Sequence, residues 1–264
     1  MTSNPWRRPQ GRPLAIAHRG HSMDYPENTL EAYRKAIDLG VEMIECDVNI
    51  TRDGTLVMMH DWTLDRTTNG AGRVKDASWD EIQRLDAGSK FRPEFAGVRV
   101  PSTEATIRLF REAGIFGCFE VKGGDEQTAK EIASALADLF LRTKSLETNF
   151  MSSYFHAALA VAQSKVPELL LAPERLPDDA PPDPPEAVRQ ARAFNAPVLQ
   201  YQYTVLTAEV MHVLHENDIA AWSWNTNDEA SMVHSLDAGA DGLMGDDVRL
   251  MLEVLNRWPM ADSR

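Results

Sequence analysis

The feature that most constrains this chain is an alternation. Short apolar runs at 14–20, 43–50, 117–123, 149–154, 168–174, 198–203, 220–225 and 241–246 are each followed by a helix-like stretch. In NTLEAYRKAIDLG (28–40), for example, Leu30, Tyr33, Ala36 and Ile37 recur at helical spacing and Gly40 supplies a C-terminal stop. Near-continuous apolar strands separated by helices predict a parallel sheet covered on both faces. Eight such units in 264 residues predict a closed α/β barrel, the (β/α)8 or TIM barrel, forming one domain over 1–264. The Pro/Asp-rich stretch LPDDAPPDPPE (176–186) is expected to be a loop on the active rim, free to touch substrate.

Composition narrows the partners. A formal net charge of −13 argues against nucleic acid, whose phosphates require clustered Lys and Arg. It also means that an anionic substrate would need local positive potential at its site. No apolar run approaches the ~20 residues of a membrane span, so no integral membrane association is expected. Only Leu14–Ala17 is apolar before His18, too little for a signal-peptide core, and Cys46 and Cys118 alone make no disulfide framework. A cytoplasmic protein is the expectation; the sequence leaves its oligomeric state open.

In such barrels the chemistry lies at the carboxyl ends of the strands. Polar residues collect there: His18 and Arg19 in the first strand, Glu45 and Asp47 in the second, Glu120 and Lys122 in the third. Side chains alternate along a strand, so Glu45 and Asp47 share a face and Cys46 takes the other. If that face is the lumen, three carboxylates converge on the mouth. They cannot all stay ionised there uncompensated. Either they are protonated, or Arg19 and Lys122 pair with them, or they hold a cation, and oxygen-only ligands suit Mg²⁺ or Ca²⁺.

The arm IECDVNITRDGTLVMMHD (44–61) folds back at Asp53-Gly54. A two-residue turn there would set His60 directly opposite Asp47. With His18 on the neighbouring strand, two imidazoles would then stand beside the acids as general acid and base. Trp222 and Trp224 share a strand face, and one or both would form an apolar wall of the pocket.

These residues, in this order, resemble the glycerophosphodiester phosphodiesterase family. The match runs through AHRG (17–20), PENT (26–29), IECDVNITRDG (44–54), VMMHD (57–61) and TLDRTTNGAGRV (63–74). It continues through LDAG (85–88), VRVPSTEA (98–105), FEVKG (119–123), WSWN (222–225) and DAGADGL (237–243). The resemblance implies a TIM barrel with a small insertion after strand two, here about 61–101, at the mouth. It implies metal ligands at Glu45, Asp47 and Glu120, one divalent ion as cofactor, and catalytic histidines at His18 and His60. Arg19 and Lys122 match phosphate-contacting positions, Glu27 a supporting acid near the metal, and Trp222 the family's tryptophan in strand seven. One departure stands out: MGDDV (244–248) has Gly245 and Val248 where the family usually carries threonine and proline. It is expected to bear on substrate preference rather than on the metal or histidine set, and Trp224, where a smaller residue is common, would narrow the lumen.

The implied function is metal-dependent hydrolysis of a small-molecule phosphodiester, giving sn-glycerol 3-phosphate and an alcohol. The alternatives are lysophospholipase D-like cleavage of lysolipids through a wider mouth, and a non-catalytic barrel that binds phosphodiesters. The second is disfavoured because both histidines and all three carboxylates are present.

Overall fold

Alternation within the strands decides which side chains reach the lumen. The computed structural model describes residues 4–8, 11–175 and 184–258. The chain runs β1 (Leu14–His18), α1 (Leu30–Leu39), β2 (Met43–Ile50), β3 (Leu56–Met58), α2 (Trp79–Ile82), α3 (Thr103–Ala113), β4 (Phe116–Val121), α4 (Glu126–Thr143) and β5 (Asn149–Ser152). It continues with α5 (His156–Lys165), β6 (Leu170–Leu171), α6 (Pro184–Ala193), β7 (Val198–Gln202), α7 (Ala208–Glu216), β8 (Ala220–Trp224), α8 (Glu229–Ala238), β9 (Gly242–Gly245) and α9 (Val248–Arg257). The expected loop at 176–186 lies outside the described residues, except for 184–186, which open α6. No helix among the described residues is long and apolar enough to cross a membrane.

Eight parallel strands form a nearly closed barrel in the order β6-β5-β4-β2-β1-β9-β8-β7, and β3 lies antiparallel on β2. Between β6 and β7 the ladder is reduced to a single bridge, Glu174 to Gln200. Helices start where a short polar side chain can accept a free backbone N–H. Thr29, Ser102, Asp125, Thr207 and Asp228 cap α1, α3, α4, α7 and α8 in this way.

Two apolar layers follow from strand parity. Ala15, Ala17, Ile44, Cys46, Val48, Phe119 and Val121 pack outward among helix residues such as Tyr33, Ile107 and Ile132. Leu14, Ile16, Met43, Cys118, Phe150, Ala172, Val198, Ala220, Trp222 and Met244 fill the lumen. Continuing the lumen parity toward the carboxyl ends gives His18, Glu45, Asp47 and Glu120, with His18 in register with Glu45 and Asp47 with Glu120. The alternation that builds the core therefore also delivers the polar set.

The opposite end of the lumen is closed by Trp6, which the sequence pattern does not single out. Its ring packs edge-on against Phe116, Phe150 and Trp222 at centroid distances of 4.9, 4.7 and 6.1 Å. The segment is tied down by Asn4, whose Nδ2 donates to the carbonyls of Pro197 (2.7 Å) and Asp218 (2.8 Å). We expect Trp6→Ala to cost about 3–5 kcal/mol, the range for emptying a buried tryptophan site. Urea denaturation should show a lower midpoint at unchanged slope.

The β2–β3 hairpin differs from the expected two-residue turn. Val48 pairs with Met58, Asn49 with Val57 and Ile50 with Leu56, so the loop is Arg52-Asp53-Gly54, closed by Thr51 and Thr55. The cause is local. The Thr51 hydroxyl donates to Asp53 (2.6 Å) and accepts from the Thr55 N–H (2.9 Å), which stabilises a three-residue loop with Gly54 at φ 83°. Met59, not His60, consequently faces Asp47, donating its N–H to the Asp47 carbonyl at 2.9 Å.

From there residues 61–101 have little regular structure: two 3-10 turns, Val74–Asp76 and Pro93–Phe95, and the short α2. This segment has its own apolar cluster of Met59, Leu64, Val74, Ile82, Ala87 and Val100 packed on Val57 of β3.

Candidate active site

The carboxyl ends of β1, β2 and β4 meet in a small cavity of about 90 Å³. It is lined by His18, Arg19, Glu45, His60, Glu120 and Lys122, with Tyr154, Glu174, Gln200, Trp224, Asn225 and Met244 completing the wall. Each of Glu45, Asp47 and Glu120 offers an oxygen within 4.8 Å of the others, and all three side chains are buried. The hairpin register misplaces His60 by one residue, yet the chain leaves the ladder after Met58 and brings His60 to the cavity.

Two cations hold the acids together. Arg19 Nε lies 3.0 Å from Asp47 Oδ2, and Arg19 Nη1 donates to Glu27 at 3.1 Å. Lys122 Nζ contacts Glu120 and stands 3.2 Å from Asp47 Oδ1. Asn28, in the left-handed region at φ 56°, donates to Asp47 Oδ2 at 2.7 Å and accepts the Asp47 N–H at 3.1 Å. Burial by itself would raise the Asp47 pKa, but Arg19 and Lys122 outweigh it and hold this carboxyl far below the usual range. Glu45 goes the other way: burial, then repulsion from Asp47 and Glu120, pushes it well above the usual value.

Both histidines are fixed through Nδ1. Asp246 accepts from His18 Nδ1 at 2.6 Å, and also from Ser22 Oγ (2.9 Å) and Asn227 Nδ2 (2.6 Å). That leaves His18 Nε2 facing the acids, 3.8 Å from Glu45 Oε2. Asp61 accepts from His60 Nδ1 at 2.7 Å. Arg66 grips Asp61 and Glu27 together, with contacts of 2.7–3.0 Å. Arg66, with His60 assisting, brings the Asp61 pKa down to about 2. A continuous polar chain, His60–Asp61–Arg66–Glu27–Arg19–Asp47, therefore ties the insertion to the barrel.

Asp246, between the two departing positions Gly245 and Val248, is the partner of His18. Glycine stands at 245 because a Cβ there would lie 2.2 Å from the Thr226 carbonyl oxygen. Trp222, expected to touch substrate, is fully buried one layer down against Trp6 and Phe150, whereas Trp224 lines the cavity. The other correction is to the hairpin register described above.

Sequence reasoning also passed over Asn28, Asp61, Arg66, Asp246 and Glu174. Glu174 carried a usable signal, since it is an acid closing the apolar run ELLLAPE (168–174). Nothing in the local spacing of Asp246 marks it, because its partner is 228 residues away.

Whether a cation fits can be judged from the unsatisfied atoms. Glu45 Oε1 and Asp47 Oδ1 are buried without a hydrogen bond, and an all-oxygen donor set suits a hard divalent ion. Among the described residues, the permanent cations beside Glu45, Asp47, Glu120 and Glu174 are Arg19 and Lys122, a formal deficit that one divalent cation cancels.

The chain is similar to known proteins over most of its length. The profile of the glycerophosphoryl diester phosphodiesterase family matches residues 18–250. A glycerophosphodiester phosphodiesterase of Caldanaerobacter subterraneus subsp. tengcongensis is 32% identical over 251 residues, covering 92% of this chain and 98% of that one. A Bacillus altitudinis enzyme of the same name is 29% identical, covering 88% of this chain and 93% of the relative. Among solved structures, an Oleispira antarctica phosphodiesterase in complex with the product sn-glycerol-3-phosphate superposes with a TM-score of 0.83 at 24% identity, covering 92% of this chain and 97% of its own.

Proposed function

This chain belongs to the glycerophosphoryl diester phosphodiesterase family, a hydrolytic family, and from that premise we propose that it cleaves glycerophosphodiesters to sn-glycerol 3-phosphate and an alcohol with a divalent ion and two histidines. The observation that carries the proposal is the pairing of an underneutralised carboxylate triad with two imidazoles whose Nε2 atoms are left free.

Glu45, Asp47 and Glu120 would hold the ion, Mg²⁺ or Ca²⁺. When bound, it supplies positive charge to a non-bridging phosphate oxygen. Arg19 and Lys122 add fixed positive potential beside that phosphate, in a protein whose net charge of −13 would otherwise repel it. One imidazole removes a proton from the nucleophile, water or the substrate's own neighbouring hydroxyl, and the other protonates the departing alcohol. Glu27 supports from behind, keeping Arg19 and Arg66 in place.

Asp246 holds His18 in the tautomer that leaves Nε2 available. Asp246→Asn should lower kcat by about 10–100-fold with little change in KM, measured by steady-state kinetics on sn-glycero-3-phosphocholine. An equal loss in KM alone would place Asp246 in substrate binding instead.

The deciding experiment is a panel containing sn-glycero-3-phosphocholine, sn-glycero-3-phosphoethanolamine and lysophosphatidylcholine. Each is assayed with chelator and after return of Mg²⁺ or Ca²⁺. Release of glycerol 3-phosphate from the first two, dependent on metal, is expected. Turnover of lysophosphatidylcholine alone would favour the lysolipid alternative, and inertness toward all three overturns both.

A further inference from the structure

The turn that carries Asp246 is held from the barrel's first strand as well as its last. The Met23 N–H donates to the Asp246 carbonyl at 3.2 Å, Ser22 Oγ lies 2.9 Å from Asp246 Oδ1, and His21 Nδ1 accepts the Val248 N–H at 3.3 Å. The loop after β1 thus clasps the start of α9 with consecutive residues. His21 is the member of this clasp without a part in the chemistry above. It is fully buried and does not line the cavity.

The end of a helix explains why an imidazole stands there. The first N–H groups of a helix have no acceptor within it. Asp247, the N-cap of α9, accepts from Arg249 and Leu250 at 3.1 Å each and leaves out Val248. Val248 is fully buried, where an unmatched donor is costly, and His21 Nδ1 supplies the acceptor. A ring nitrogen accepts only when it carries no proton, so this contact selects the neutral tautomer protonated on Nε2. Nε2 stands 3.2 Å from Asp24 Oδ2, and Arg249, in the first turn of α9, grips the same oxygen. Burial, then the charge of Arg249, lowers the His21 pKa and favours the neutral ring. The His21 backbone is pinned in turn, its N–H donating to the Ala32 carbonyl of α1 at 3.1 Å.

We propose that His21 is a positioning residue: through the Val248 N–H it sets the turn that carries Asp246, and through Asp246 the orientation of His18. The tethered N–H is two residues from Asp246. On the other side Asn227 accepts the Asp246 N–H at 2.9 Å, so releasing Val248 lets the turn swing away from β1 toward that remaining anchor. The proposal rests on the phosphodiesterase function, in which His18 moves a proton, and adds to it a residue that touches neither substrate nor metal.

Two substitutions separate the acceptor from the rest of the ring. Asparagine places Oδ1 where histidine has Nδ1, and glutamine places its amide nitrogen near the position of Nε2. His21→Asn therefore keeps the bond to Val248 and loses the one to Asp24, and His21→Gln does the reverse. His21→Asn should hold kcat on sn-glycero-3-phosphocholine within about 2-fold of wild type. His21→Gln should lower it about 3–10-fold with KM unchanged, the scale of one hydrogen bond. In an Asp246→Asn background His21→Gln should add nothing, because the link it acts through is already cut. If His21→Gln fails to fold by circular dichroism, His21→Ala takes its place with the same expected loss. Equal kcat in the asparagine and glutamine variants, or a full additional loss on top of Asp246→Asn, overturns the proposal. Should the wild type cleave no phosphodiester, the function falls, and NMR of the His18 Nδ1 proton, assigned by its absence in His18→Ala, decides the positioning role. A slowly exchanging signal in wild type and His21→Asn that is lost in His21→Gln upholds it, and a signal unchanged in both variants overturns it.

Discussion

Alanine at His18 or at His60 is expected to lower kcat by about 10²–10⁴-fold, the range contributed by a positioned general acid or base. The fold should survive either change. His60 sits at the mouth with its side chain 34% exposed, and His18 leaves behind a cavity that water can enter from the site. Because the two imidazoles act on one proton inventory, the double variant should fall well short of the product of the single losses. Stopped assays on sn-glycero-3-phosphocholine, with circular dichroism as the check on folding, decide the matter. Near-normal turnover in either single variant removes that histidine from the mechanism.

The second large effect is on stability and metal binding together. A divalent ion at 100 times its dissociation constant adds about 2.7 kcal/mol to the folded state. For a chain of this size that is a rise in Tm of roughly 5–10 °C. Glu45→Gln should abolish the rise while leaving the metal-free Tm unchanged or higher. The sign follows from the environment, since Glu45 is buried beside Asp47 and Glu120 and its charged form is disfavoured without the ion. Glutamine keeps the volume and removes the repulsion. Differential scanning fluorimetry with Mg²⁺, Ca²⁺ and chelator reads both effects without relying on activity. An undiminished metal-dependent rise in Glu45→Gln would remove Glu45 from the ligand set.

The strands and helices were legible in the sequence because a barrel strand is buried on both faces and its runs are short, apolar and bounded. The acids were legible because a carboxylate at lumen parity contradicts its apolar surroundings. Other features left no such trace. The register of β3 was set by a side-chain hydroxyl, Thr51, that competes with the backbone for the turn, and periodicity does not record this. Trp6 closes the barrel from a proline-rich tail in which one aromatic has no repeat to belong to. Trp222 and Trp224 have the same parity, so the sequence could not tell which lies deep and which meets the cavity. Asp246 and Arg66 act on groups brought close only by closure of the barrel or by the folded insertion.

The contact between His18 and Asp246 joins the first strand to the last. A nascent chain with β1 to β8 outside the ribosome would already carry Glu45, Asp47, Glu120 and both imidazoles. It would lack Asp246, which accepts from His18 Nδ1. On the proposed mechanism, turnover therefore waits for β9 and the residue that follows it. Two fragments cut between β8 and β9 should be nearly silent apart and recover activity on association, so that hydrolysis itself becomes a gauge of barrel closure.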